Sequence, residues 1–139
     1  MINKKINAKN IKSLEIESKN SITGNEEIIL ILRKKSMSYG IKKENEKYYD
    51  PLWMYSNKND DILLKNDLLK CINDLINLTP LENKESEYSF IINIELIDNS
   101  KIEIKRNGTL RDNNLDTICD LITNKIYMKE NTPLIFGNK

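Results

Sequence analysis

The sequence predicts an α+β domain, an antiparallel sheet of about five strands with two helices packed on one face. Residues 88–105 carry the first part of that expectation: two runs of alternating apolar and polar side chains separated by turn formers, as in a hairpin with one buried face. Residues 115–126 carry the second, because the spacing changes to that of a helix directly after the hairpin. A third observation points to an earlier copy of the same unit. Leu69, Ile72, Asp74, Leu75 and Ile76 match Leu115, Ile118, Asp120, Leu121 and Ile122 at one constant offset. The chain is therefore read as a single domain, 1–139, with two β-hairpin-plus-helix units at 26–79 and 88–127.

The elements follow in order. Residues 1–9 form a basic start or an edge strand, and 11–18 a first strand with Leu14 and Ile16 inward and Glu15 and Glu17 mostly outward. Gly24 turns the chain into 27–32. That unbroken aliphatic run suits a central strand covered on both faces or at an interface. A weaker strand at 37–43 pairs with it. Residues 44–59 are an aromatic insertion of irregular structure, since Asp50-Pro51 favours an extended or turning backbone. Asn59 or Asp60 then caps a helix to about residue 78 on the stripe Leu64, Leu68, Cys71, Ile72, Leu75 and Ile76, with Asn66 as the alternative start.

In the second unit Tyr88, Phe90, Ile92, Ile94 and Leu96 share one face, Asp98-Asn99-Ser100 turns, and Ile102 and Ile104 return on the same side. Asn107-Gly108 supplies a second turn, and Asp112, Asn113 or Asn114 caps a helix with Leu115, Ile118, Cys119, Ile122 and Ile126 inward. The apolar stretch 133–137 is expected to dock on the domain, a last strand being one form open to it.

Composition bounds the function. The 139 residues suffice for a core without metal or disulfide support. With 22 basic and 21 acidic residues, no bulk field draws the chain to nucleic acid or an anionic membrane. Cys71 and Cys119 lie in helical stripes and read as buried free thiols of a reducing cytosol, a bond between them staying open if the helices are neighbours. The basic start, 1–12, lacks an apolar signal core, and the aliphatic run 28–32 is too short to cross a bilayer. The expectation is a cytoplasmic protein with no cofactor and no membrane contact.

There is no histidine. Ser-His-Asp and Cys-His catalysis and the HExxH zinc site are excluded, and no Walker A sequence, GxGxxG or CxxC occurs. No residue is assigned a catalytic or metal-binding role in the leading reading. One weak pattern stands beside it: Asp98 followed by Glu103-Ile104-Lys105 resembles the metal-binding core of PD-(D/E)xK nucleases, whose two carboxylates hold a divalent cation while the lysine stabilises the attacked phosphate. The chain departs from that pattern in having no proline before Asp98 and a very short spacing to Glu103.

Two surfaces are candidates for binding. Tyr48, Tyr49, Trp53 and Tyr55 include the only tryptophan and three of the six tyrosines, and such rings give rigid contact area at low entropic cost. Arg33, Lys34, Lys35, Lys42 and Lys43 have no acid among them and would gather at one hairpin, as an anion site for a nucleotide or nucleic acid. In size and composition the chain resembles the small inhibitor, immunity and anti-defence proteins of low-GC bacteria and their phages. That resemblance is one of type, and it implies a non-catalytic protein that acts on a protein partner. A nucleotide or nucleic-acid binder is the alternative and a metal-dependent nuclease the third; a homodimer, completed by sheet pairing, is compatible with each.

Overall fold

A computed structural model describes residues 8–33, 36–55, 63, 66–77, 86–125 and 132–137. Strands β1 (Ile11–Asn20), β2 (Glu26–Leu32), β3 (Met37–Lys42), β4 (Asp50–Tyr55), β5 (Tyr88–Leu96) and β6 (Lys101–Asn107) make one antiparallel sheet. Its order is β4-β3-β2-β1-β5-β6. Helices α1 (Asn66–Asn77) and α2 (Asp116–Lys125) complete the α+β architecture that the alternating and helical periods predict.

The register lays one row of side chains straight across the sheet: Ile104, Ile92, Ile16, Ile29, Tyr39 and Trp53, one from each strand. Beside it run Ile94, Leu14, Ile31 and Met37. These rows form the floor of the core, and they are covered by Leu68, Ile72 and Leu75 of α1, Leu115, Ile118, Cys119 and Ile122 of α2, and Ile135 and Phe136. Each large aliphatic side chain buried there contributes about 1.5–3 kcal/mol.

Three expectations about the strands are corrected. The aromatic insertion is not irregular throughout, because 50–55 is a sixth strand on the sheet edge, where the missing N–H of Pro51 is tolerated. Trp53 lies opposite Tyr39, with ring centroids 5.5 Å apart, and the register slips between Tyr39 and Gly40 to accommodate Leu52. Second, of the two settings expected for β2, cover on both faces is not found among the described residues: Glu27, Ile29 and Ile31 are buried, whereas Ile28, Leu30 and Leu32 are only half-buried on the opposite side. Third, the apolar stretch docks, with Ile135 and Phe136 buried, but as a short 3-10 turn, Leu134–Phe136, and not as a strand. Its first N–H groups are taken by a carboxylate, leaving no ladder to join.

Local chemistry accounts for the helix starts. Helix α1 begins at Asn66, the later of the two expected starts; residues 59–62 and Leu64 lie outside the described residues. Asp112, Asn113 and Asn114 do not cap α2 as expected. Arg111–Asn113 is a 3-10 turn, Asn114 takes a left-handed conformation at φ 61°, and the helix starts two residues on. The Asn107-Gly108 turn is present with Gly108 at φ +97°. Ile126 lies outside the described residues. Among the described residues no helix is long and apolar enough to cross a membrane.

Candidate functional site

One face of the sheet has no layer over it among the described residues. The alternation that sends Leu14 and Ile16 inward sends Glu15 and Glu17 outward, and the register sets each in a row. Glu103, Asn93, Glu15, Leu30, Ser38 and Met54 form one; Lys105, Ile91, Glu17, Ile28, Gly40 and Pro51 form the next. The centre of this open face is thus two carboxylates of β1 between Leu30 and Ile28 of β2 and Asn93 and Ile91 of β5.

An aromatic side chain borders it. A β-carbon on Gly40 would meet the Tyr49 β-carbon at 3.4 Å and the Asp50 carbonyl at 3.1 Å, so the bare glycine is what lets the start of β4 lie against β3. The Lys42 ammonium sits 5.8 Å from the centre of the Tyr49 ring and 2.7 Å from a Glu26 carboxylate oxygen. The Tyr49 phenol is pushed up to about 12, first by partial burial and then by the charges of Glu26, Glu17 and Glu15. The ring therefore shares the field of the central carboxylates.

Those carboxylates differ from their neighbours. Glu26 pairs with Lys42, Glu95 with Lys12 and Glu103 with Lys105, whereas Glu15 and Glu17 have no ion pair among the described residues. They bond to each other instead. Partial burial, the hydrogen bond that the protonated Glu15 carboxyl donates to Glu17, and the like charge of Glu17 push the Glu15 carboxyl up to about 7. Two adjacent acids without a counter-ion retain a proton because full ionisation sets like charges side by side.

The residues singled out by sequence are dispersed around this face. Tyr48 is exposed, Tyr49 lies on the open face, and Trp53 turns inward against Tyr39; the Tyr55 side chain lies outside the described residues. Arg33 is at the β2–β3 turn, donating to the Lys9 carbonyl at 3.0 Å, while Lys42 and Lys43 stand at the other end of that hairpin. The length of β3, six residues and roughly 20 Å of strand, runs from the Arg33 turn to Lys42, so the expected gathering into one patch does not form among the described residues. Lys34 and Lys35 lie outside the described residues. Asp98 accepts the Ser100 N–H at 2.9 Å within its turn, and Glu103 pairs with Lys105 at 3.3 Å. Among the described residues no three acidic or cysteine side chains are grouped to hold a metal ion.

Sequence reasoning assigned no role to Glu15, Glu17, Met54 or Glu27. The first two were legible as outward-facing, but that they meet no cation among the described residues depends on neighbours in β2 and β5. Glu27 is engaged inside the protein. Its carboxylate accepts the Tyr39 hydroxyl and the Leu134 and Ile135 N–H groups, the latter two at 2.9 and 3.0 Å, with Ser18 as a further donor. A hollow of about 720 Å³ near the chain's end is lined by Ser86, Thr109, Asp112 and Thr132. Asp112 there already accepts the Thr109 N–H. Comparison with protein-family models, curated proteins and solved structures found no match for the chain.

Proposed function

We propose that the chain is a non-catalytic binding protein that acts on a protein partner, meeting it with the open sheet face and the aromatic approach to β4. The observation that carries this reading is where apolar surface is left uncovered. Of six exposed large apolar side chains among the described residues, three belong to one stretch: Tyr48, 81% exposed, Met54, 74% exposed, and Leu52. Further in on the same face lie Leu30 and Ile28, beyond Ser38 and Gly40 of β3, and Ile91 across Glu17, all half-buried. An exposed apolar patch set among polar and charged side chains is a common mark of a protein interface. A small inhibitor or immunity protein, the type this chain resembles in size and composition, would block its target with such a face.

A nucleic-acid binder has less support from the geometry. Lys42 is committed to Glu26 and Tyr49, Arg33 is a strand's length away, and the centre of the face is acidic. The test is affinity capture with wild type and a Tyr48→Ala/Met54→Asp variant. Trp53→Ala is a poor probe, because that ring packs inside against Tyr39. Wild type is expected to retain a protein that the variant releases, with equal melting temperatures. Equal capture by both proteins would refute the reading, and salt-sensitive capture of single-stranded oligonucleotides alone would replace it with the alternative.

A further inference from the structure

We propose that the partner seats a cationic side chain, arginine or lysine, on Glu15 and Glu17 beside the Tyr49 ring, with apolar neighbours against Ile28, Leu30, Ile91 and Met54. This rests on the protein-partner reading and adds the chemistry of the occupant. Charge complementarity carries it. Across the open face each carboxylate toward the margin is answered from within the chain, Glu26 by Lys42, Glu95 by Lys12 and Glu103 by Lys105. The two at the centre are not. Lys19, next outward on β1, stands opposite Glu26 and Ser89 in the register and makes no ion pair among the described residues.

A partly buried pair of acids flanked by aliphatic side chains is poorly hydrated, and an apolar partner laid over it would strip the remaining water at a cost. A cation in the same footprint reverses the sign of that term. A guanidinium has the further advantage of donating to both carboxylates while its plane lies along an aromatic ring. The same charges argue against a second copy of the chain: stacking two open faces about a twofold axis near β1 would confront four carboxylates with one another. They argue equally against a phosphate backbone.

The test is selection of random peptides on immobilised wild-type protein, followed by affinity measurement against Glu15→Gln/Glu17→Gln and Tyr48→Ala/Met54→Asp. The amide exchange preserves shape, and melting curves confirm the fold of each variant. The expected result is enrichment of peptides with arginine or lysine between apolar residues, losing about tenfold or more in affinity on the amide variant. Peptides that lack cations, ignore the amide variant and still lose binding on Tyr48→Ala/Met54→Asp would overturn the cation and keep the interface. Peptides indifferent to both variants would overturn the protein-partner reading of this face as well. Self-association of wild type abolished by Met54→Asp would assign the face to a second copy and refute the proposal.

Discussion

Glu15 shows how a single position couples the open face to pH. Its carboxyl is pushed up to about 7 from an ordinary 4.5, by partial burial and by Glu17. Between those values the folded protein holds a proton that the unfolded chain has released. Stability from this group is therefore present at the acid end of the window and is lost as pH rises from about 4.5 to about 7. Burial moves Glu27 in the same direction, against the pull of its four donors. Glu15→Gln is accordingly expected to flatten, without abolishing, the fall in stability across that window, and to be more stable than wild type at its upper end. Denaturant melts of both proteins through the window would measure this; parallel profiles would mean that Glu15 titrates as an ordinary carboxylate. The outward placement of Glu15 was legible from strand alternation, but its shared proton was not. It depends on which side chains the neighbouring strands present.

Among the elements, the helix pair was the most legible and the edge strand the least. The stripe Leu68, Ile72 and Leu75, and its counterpart Leu115, Ile118, Cys119 and Ile122, are buried as the spacing requires. The two helices are neighbours, and each brings a cysteine to their junction. Cys71, half-buried, points its thiol toward the Asn114 carbonyl at 3.7 Å and is pushed up to about 11, chiefly by burial. Cys119 is buried and pushed up to about 12 for the same leading reason. Both are free. A shift of two units leaves Cys71 with roughly a hundredfold less thiolate than an ordinary thiol near neutral pH, so native-state alkylation is expected to be slow at Cys71, slower at Cys119, and fast at both in denaturant. Fast native labelling at either position would contradict the packing described. Strand β4 escaped sequence reading because Asp50-Pro51 signals a turn locally, while the pairing of Trp53 with Tyr39 that makes it a strand is not local.

At the scale of the whole molecule, the chain's end is tied to its second strand through Glu27. The Leu134 and Ile135 N–H groups and the Tyr39 hydroxyl converge on one carboxylate that is 6% exposed, and the Leu110 N–H donates to the Ile135 carbonyl at 2.8 Å. Glu27→Ala would leave those donors facing an apolar core, a loss of about 3 kcal/mol or more in urea melts. A loss below about 1 kcal/mol would mean that water or relaxation replaces the carboxylate. From sequence, this glutamate was only the polar first residue of an aliphatic strand. Periodicity by itself determined the class of the fold, the hairpin of β5 and β6, the inward faces of β1, β5, β6 and the two helices, and the helical positions of both cysteines, because each depends on residues within one or two turns or strands. Only the tertiary structure decided that β4 joins the edge, that Glu27 holds Leu134 and Ile135, that Arg33 and Lys42 stand apart, and that Glu15 and Glu17 meet no cation among the described residues. Each of those depends on side chains brought together from distant parts of the chain, where no local pattern records the partner.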